Sequence, residues 1–467
     1  MQIGHIVGTL FAAIGFVAAT LASAHALLYK RRPQSAFGWI AVCYTLPLVG
    51  ALLYYLFGIN RVRTRAKKLL TDYPEPTCPT EHVGTPPPQL AGLARLGASV
   101  TGWPLTAGNT VQIFHDAERT FAAMLAAIER ATRSVHLCTY IFDSGPVGAR
   151  FAASLAAAAE RGVDVRVLLD GVGDLYSRPS IRGRLHGTRV RVARFLPPRL
   201  LPPSLSINLR NHRKTLIVDG QDAFTGGMNL RDRYLDADAA KRTVDLHAHV
   251  AGPVVTQVAT VFERDWQFAT GERPTRHDEP PAPAGGALCR AVADGPEGEL
   301  DRLTELFIGA IGSARRRIAI MTPYFLPPRE LTGALQAAAL SGIDVAVILP
   351  ANNNLPYVHR ATRHLLWELI ERGVQIYYQP GPFTHSKLFY CDDDYAQIGS
   401  ANLDARSLRL NFELNLEIYD RESVAALAAH FEAIRARSTP VTLGTVDGRS
   451  LATKLVDGAA WLFSPYL

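Results

Sequence analysis

Asn211-His212-Arg213-Lys214-Thr215-Leu216-Ile217-Val218-Asp219, followed by Gly226-Gly227-Met228-Asn229, is the stretch from which the rest of the chain is read. It returns as His385-Ser386-Lys387-Leu388-Phe389-Tyr390-Cys391-Asp392, followed by Gly399-Ser400-Ala401-Asn402. Both copies read H-x-K-x4-D, and in both an Asn stands 17 residues after the His. One H-x-K is an ordinary polar strand, but two copies with matched Asn residues point to a duplicated site. Strand side chains alternate faces, so His212 and Lys214 share a face, as do His385 and Lys387. Asp219-Gly220 and Asp392-Asp393-Asp394 read as turns into returning strands, and the Gly-Gly or Gly-Ser pair brings each Asn back toward its His and Lys.

The duplication extends outward. Ala117–Thr132 has helical periodicity, Ser134–Phe142 is a β-rich run, Ala149–Glu160 is an Ala-rich helix, and Val163–Leu169 is a buried strand. The same order returns over Leu300–Ala314, Arg317–Phe325, Leu331–Leu340 and Asp344–Leu349. Arg161-Gly162-Val163-Asp164-Val165 and Ser341-Gly342-Ile343-Asp344-Val345 hold matching places before their strands. Alternating helices and strands imply parallel strands with crossovers. The expected fold is α/β, with one half over 90–276 and a second over 288–467. A linker over 277–287 joins them, carrying Pro280-Pro281-Ala282-Pro283 and Gly285-Gly286.

Residues 1–70 are of another kind. No Lys, Arg, Asp or Glu occurs in Ile6–Leu28 or in Ala36–Gly58, and each run is long enough for a membrane helix. The start lacks the basic residues of a signal peptide, so two retained spans are expected. Lys30-Arg31-Arg32 lies between the runs, and Arg61, Arg63, Arg65, Lys67 and Lys68 follow them. If both runs span, the larger cluster is cytoplasmic and takes the catalytic part with it. A re-entrant second run bent at Pro47 is the alternative, and it puts both clusters on one side. Residues 71–89 form a Pro-rich linker.

The 467 residues suffice for two cores, and the net charge of +7 favours an anionic partner without choosing between lipid and nucleic acid. Cys43, Cys78, Cys138, Cys289 and Cys391 are scattered, with no C-x-x-C pair, so neither a disulfide framework nor a zinc site is expected.

Two sets of imidazole, ammonium and carboxamide suit a phosphodiester. One imidazole attacks phosphorus, the other protonates the leaving alkoxide, and the cations and amides hold the non-bridging oxygens. No metal or other cofactor is needed for this, and lysines beside His212 and His385 oppose a cation. The candidate catalytic set is therefore His212, Lys214, Asp219, His385, Lys387 and Asp392, with Asn229 and Asn402 on the substrate. Within it the two aspartates read as turn-closing residues rather than acids or bases. Asp245 and Glu413 are candidates to orient a histidine. Each can equally be a solvated strand residue.

These motifs resemble the phospholipase D superfamily, and within it the bacterial cardiolipin synthases. The likeness includes Tyr140-Ile141-Phe142, Arg210-Asn211-His212-Arg213-Lys214 and Thr322-Pro323-Tyr324-Phe325. It continues through Gly399 to Ser407, Asn411-Phe412-Glu413 and the closing Ser464-Pro465-Tyr466-Leu467. The resemblance implies two tandem phospholipase D-like α/β sandwich halves with parallel-rich mixed sheets, packed pseudo-symmetrically. It implies His212 as nucleophile, His385 as acid and base, and Asp245 and Glu413 as histidine-orienting carboxylates. The implied reaction joins two phosphatidylglycerol molecules into cardiolipin and glycerol, at the bacterial inner membrane and without nucleic acid. A hydrolytic phospholipase D, a transferase with another donor or acceptor, and a membrane-bound nuclease are the alternatives. Arg242-Thr243-Val244-Asp245 stands where such synthases often have Trp-Arg-Asp, which leaves lipid choice open at that edge. Arg194 to Pro203, apolar and basic, is expected to dip into the lipid interface.

Overall fold

The computed structural model describes residues 2–30, 33–59, 82–198, 209–238, 240–273, 281–295 and 301–464. They fall into two compact units, one with the N-terminal helices and one with all the strands. Both basic-cluster residues 61–68 and the chain end 465–467 lie outside the described residues.

In the first unit, α1 (Gln2–Tyr29) is one unbroken helix, and its stretch His5–Tyr29 is long and apolar enough to cross a membrane. The second apolar run is not one span. It forms α2 (Pro33–Thr45) and α3 (Pro47–Leu53), the latter ending in a π-turn over Tyr54–Gly58. Pro47 excludes its predecessor from helical geometry, and Leu46 sits at φ −130°, ψ 73°. After the break the chain doubles back: a Cβ on Gly50 would lie 2.3 Å from the Val42 carbonyl oxygen. Pro47 itself packs at mid-length on α1, 3.1 Å from where a Gly15 Cβ would be. At the run's far end Lys30 Nζ donates to Gly58 O (2.6 Å), and the Tyr54 hydroxyl meets His25 Nδ1 (2.8 Å). Thirteen residues of α2 rise only about 20 Å, short of a bilayer core of about 30 Å. The expectation of two spanning helices gives way to one long helix and a hairpin beside it.

In the second unit the first half supplies β1 (Thr106–Phe114), β2 (Ser134–Thr139), β3 (Asp164–Asp170), β4 (Arg191–Phe195), β5 (Thr215–Val218), β6 (Asp222–Gly226), β7 (Thr243–Val244) and β8 (His247–Ala251). The second half supplies β9 (Ala287–Asp294), β10 (Arg317–Met321), β11 (Phe325–Leu326), β12 (Asp344–Pro350), β13 (Gln375–Gln379) and β14 (Phe383–Thr384). It continues with β15 (Leu388–Cys391), β16 (Tyr395–Gly399), β17 (Leu403–Asp404), β18 (Glu413–Tyr419) and β19 (Thr439–Val441). Fifteen of them make one sheet in the order β19-β13-β12-β10-β15-β16-β18-β9-β1-β8-β6-β5-β2-β3-β4. The halves therefore share a sheet, joined where β1 pairs antiparallel with β9.

Within the large sheet, parallel pairing is confined to β2–β3, β3–β4, β10–β12 and β12–β13, the pairs closed by crossover helices. The pairs from β2 through β5, β6, β8, β1, β9, β18, β16 and β15 to β10 are antiparallel. The expected parallel-rich sheet is thus corrected. Around each H-x-K motif the connections are tight turns, which can only build hairpins. The helices expected from periodicity are present as Ala117–Arg130, Pro146–Glu160, Arg302–Ser313 and Arg329–Leu340. One sheet face buries Ile217, Val250, Tyr390 and Ile398 under the helices Val254–Thr270 and Arg421–Arg435. The other faces carry each half's remaining helices.

Two expected connections are revised. Ala284 N donates to Gly108 O (2.7 Å), so the end of the inter-half linker is seated on the first half. Phe195 does not dip into lipid: it is buried, with Phe268 and Phe412 ring centroids each 4.8 Å away, because it closes strand β4 over the core. Residues 199–203 of that stretch are outside the described residues.

Candidate active site

The two H-x-K segments enter the site along equivalent paths, each clipped to the opposite half. His212 N donates to Phe412 O (2.9 Å), and Phe412 N donates to Arg210 O (2.8 Å). On the other side β14 pairs parallel with β7, and His385 N donates to Val244 O (2.8 Å). Each histidine thereby lies beside the residue preceding the other half's carboxylate. The side chains follow. Glu413 places both carboxylate oxygens 3.0 Å from His212 Nδ1, and Asp245 Oδ2 lies 2.8 Å from His385 Nδ1. The orienting contacts are crossed between halves.

Both rings line one cavity of about 280 Å³, with Tyr140, Tyr324, Asn229 and Asn402 among its walls. An ionised carboxylate only accepts, so the His212 proton sits on Nδ1 and its Nε2 lone pair is left for the cavity. His385 Nδ1 meets Lys387 Nζ (2.9 Å) as well as Asp245. It cannot accept from the ammonium and donate to the carboxylate at once. The ammonium has another acceptor in the His385 carbonyl oxygen, which leaves Nδ1–H for Asp245. Lys214 does the same in the first half, donating to His212 O at 2.6 Å.

Desolvation dominates the electrostatics. Burial pulls both imidazoles down to about 4, opposed at His212 by Glu413 and at His385 by Asp245. Burial also pulls Lys214 down to about 7 and Lys387 to about 8. Burial pushes the Glu413 carboxyl up, but His212, Lys214 and the Ser400 hydroxyl together hold it below its ordinary range. With both lysines charged and both carboxylates ionised, the four groups cancel. An entering phosphodiester adds one negative charge, and one imidazolium restores the balance. The unliganded site is thus poised to take up a proton together with an anion.

The remaining expected residues divide. Asn229 Oδ1 accepts from Ile141 N (3.1 Å), and its amide also faces the buried Tyr234 hydroxyl. Asn402 donates to Ser407 Oγ (3.1 Å), and its Oδ1 is buried without a partner among the described residues. Asp219 and Asp392 are not in the cavity at all. Each occupies the left-handed region, at φ 52° and 50°, in the turn at the far end of its strand. The Asp219 carboxylate accepts from the backbone of Thr132, Arg133 and Ser134 (2.9, 2.7 and 2.8 Å). Asp392 accepts from Arg315, Arg316 and Arg317 (2.9, 2.8 and 3.0 Å). Their place in the candidate catalytic set is corrected: they pin the loop before β2 and β10. A carboxylate that satisfies three loop N–H groups has structural work enough.

Several partners were not singled out from sequence. Ser400 Oγ (2.5 Å) and Asn411 Nδ2 (3.1 Å) both donate to Glu413. The place of Ser400 is taken in the first half by Gly227, where a Cβ would lie 2.2 Å from Asp245 Oδ1. Asp170 accepts from Asn211 N (2.8 Å), and burial pushes its carboxyl up to about 6. Tyr140 stands edge-on to His212 with centroids 5.2 Å apart, and Tyr324 to His385 at 6.3 Å. Their matched positions at two strand ends were the available signal. Arg213, on the opposite strand face from His212, donates to Glu413 O and Asp294 O (both 3.0 Å) and pairs with Asp265, locking the halves together.

Comparison with known proteins places this geometry. Residues 124–266 and 307–435 match the family described as cardiolipin synthase, PLD-like domain, and residues 17–58 match the phospholipase D-nuclease N-terminal family. A cardiolipin synthase of Geobacillus kaustophilus is 32% identical over 453 residues, covering 94% of this chain and 90% of that protein. Cardiolipin synthase 2 of Bacillus anthracis is 32% identical over 466 residues, covering 97% and 90%. Among solved structures, a phosphatidylserine synthase of Haemophilus influenzae shares the fold at TM-score 0.61 and 14% identity, over 80% of this chain and 100% of that one.

Proposed function

Because the chain belongs to the cardiolipin synthase family of phospholipase D-like proteins, we propose that it transfers a phosphatidyl group from one phosphatidylglycerol to another, releasing glycerol. The observation that carries this reading is the pair of imidazoles in one cavity, each tied at Nδ1 to a carboxylate of the opposite half.

The donor phosphate enters between the rings. His212 Nε2 attacks phosphorus while His385, protonated with anion binding, gives its Nε2 proton to the departing glycerol oxygen. The phosphatidyl group is then covalently on His212, and its Nδ1–H on Glu413 stabilises the cationic ring. The acceptor's terminal hydroxyl next passes its proton to His385 as its oxygen attacks phosphorus, freeing His212. Lys214, Lys387 and Asn229 supply the charge and donors for the non-bridging oxygens. A half-turn of the Asn402 amide lets Ser407 donate to Oδ1 and makes Asn402 a second donor there. The matching strand orders of the two halves support a pseudo-two-fold relation, which brings equivalent groups to opposite sides of phosphorus.

The acceptor carries a phosphate of its own. Arg210 and Arg406 both line the cavity that holds the histidines, and Arg210, though offset by Asp170, lies within the field of Arg406, which suits a second anion. We assign that phosphate to them. For the membrane part, α1 spans and the hairpin re-enters, so Lys30 and Gly58, joined at 2.6 Å, lie on one side. By the excess of basic residues that side is cytoplasmic and holds the catalytic unit.

The test is purified full-length protein with labelled phosphatidylglycerol in vesicles. Cardiolipin and glycerol in equal amounts support the transfer. Phosphatidic acid alone makes the protein a hydrolase instead. His212→Ala and His385→Ala should each abolish turnover, and a chelator should leave it intact.

A further inference from the structure

The helix Leu451–Trp461 is inside out. A helix on a globular protein buries its apolar stripe and shows its charges. Here Asp457 is fully buried, its Oδ1 accepting from Arg363 (2.6 Å) and its Oδ2 held by Arg449. Arg449 is itself fixed by the carbonyls of Val446 (2.8 Å) and Arg363 (3.2 Å). The outward side carries Leu451 and Leu455, followed by Leu462 and Phe463, with exposures of 74, 66, 69 and 63%. Positions 451, 455 and 462 fall on one helical face. Together these side chains present roughly 400 Å² of apolar surface, the size at which such patches on monomers become functional.

The polar underside shows that this orientation is built in. Turning the helix over would expose Leu residues to the protein but bury nothing that replaces the Arg363–Asp457–Arg449 network. It would leave Arg363 and Arg449 unpaired at a partly buried site. Gly458 helps hold the helix down: a Cβ there would already touch the His364 ring at 3.4 Å, and Trp461 packs on the same ring with centroids 5.1 Å apart.

His364 belongs to the helix Pro356–Ile370, and this is what selects the occupant. The N-terminal end of that helix, with Leu355, Tyr357 and Val358, forms part of the wall of the cavity that holds His212 and His385. One helix thus has the reaction cavity at its start and, packed along it, the helix whose outer side carries the apolar face. We infer that the Leu451–Phe463 face docks on the lipid bilayer, so that headgroups reach the cavity while their acyl chains stay in hydrocarbon. The occupant rests on the lipid-transfer reading above. The face itself does not.

Two measurements on the full-length protein decide it. The first uses Leu455→Glu with Phe463→Glu, compared on phosphatidylglycerol vesicles and on monomeric dihexanoyl-phosphatidylglycerol. Turnover on vesicles should fall at least about tenfold, a modest share of the burial lost, while turnover on the monomeric lipid stays within about twofold. Equal turnover of variant and parent on vesicles overturns the inference. So does an equal loss on both substrates by a variant that melts at the parent temperature. The second measurement puts a nitroxide on Leu462→Cys in vesicles and compares its relaxation by oxygen and by a water-soluble nickel chelate. Greater access to oxygen is expected. Preferential access to the chelate overturns the docking, as does loss of a dimer in the double variant without loss on vesicles, which would make the occupant a second copy. If the parent protein makes no cardiolipin from either substrate, the transfer reading fails while the nitroxide still decides the face.

Discussion

Exchanging Glu413 for Gln tests the crossed wiring of the site more sharply than removing either histidine. Three donors meet the Glu413 carboxylate: His212 Nδ1 at 3.0 Å, Ser400 Oγ at 2.5 Å and Asn411 Nδ2 at 3.1 Å. A carboxylate has room for all three, whereas a primary amide offers one oxygen and turns an NH₂ toward a donor. If the NH₂ faces His212, Nδ1 must accept, the ring proton moves to Nε2, and the attacking lone pair is gone. The charge that stabilises the phosphorylated ring is also lost. Removing one partner of a buried charged pair costs about 3–5 kcal/mol, which at about 1.4 kcal/mol per tenfold is a loss of roughly 10²- to 10⁴-fold in turnover. Ser400→Ala removes one donor only and should cost much less.

The leaving group separates the two carboxylates. A donor lipid whose headgroup is p-nitrophenol departs without needing a proton, so it relieves the role assigned to His385 and its partner Asp245. Asp245→Asn should therefore recover a rapid burst of p-nitrophenolate with this donor, and a labelled phosphatidyl group should stay on the protein. Glu413→Gln should show no burst, because its damage lies at the attacking ring. Burst recovery in Glu413→Gln but not in Asp245→Asn would reverse the roles of the histidines. Recovery in neither would refute the division of labour altogether.

The free protein should gain stability with rising pH above about 7 to 8. Burial lowers Lys214 to about 7 and Lys387 to about 8, so from there to the ordinary lysine range the unfolded chain binds more protons than the folded one. Substrate use has the opposite sign, since phosphate needs both ammonium groups. kcat/KM should fall over the same window while the melting temperature rises, and parallel changes in the two would contradict the assignment. Arg406→Gln should raise KM for the lipid acceptor and cut cardiolipin formation several-fold more than the exchange of labelled glycerol into phosphatidylglycerol. Equal loss in both assays would place Arg406 with the reacting phosphate instead. Gly227→Ala should displace Asp245, because the new Cβ would sit 2.2 Å from its Oδ1. Overpacking of this kind costs about 1–3 kcal/mol, and the effect should appear as a slower glycerol-release step at little change in KM.

Much of this was legible in the chain because periodicity is local. The alternation through Leu216-Ile217-Val218 puts His212 and Lys214 on one face, whatever the strand pairs with. The helix Ala117–Arg130 likewise announces itself by its apolar spacing, and the structure adds the Asp116 side chain, which caps Arg119 N at 2.7 Å. Sheet direction was less legible. The crossover helices promised parallel strands, but the H-x-K hairpins and the β1–β9 seam add antiparallel pairs that no crossover pattern encodes. In the anchor, the lack of charge from Ala36 to Gly58 described an apolar environment and not a straight path. Pro47 and the small Gly50 were the residues that turned it. Asp219 and Asp392 belong to the motif for its turn and not for its chemistry, as their place at the strand ends already indicated.

The crossing of the carboxylates is where sequence reading stops and tertiary structure begins. Measured along the chain, Asp245 belongs to His212 and Glu413 to His385, and nothing local says otherwise. The exchange follows from two short backbone contacts, Asn211 beside Phe412 and β14 beside β7, which set each histidine next to the other half's carboxylate. A half on its own would then hold a histidine with no partner at Nδ1 and a buried carboxylate with no imidazole to orient. Such a buried charge is costly without its counterpart. The wiring therefore makes the catalytic pair conditional on the halves being docked. If the two halves, produced as separate chains, each folded and took up a phosphodiester with a correctly oriented histidine, that condition would be wrong. Recovery of turnover only on mixing the two is the expected result.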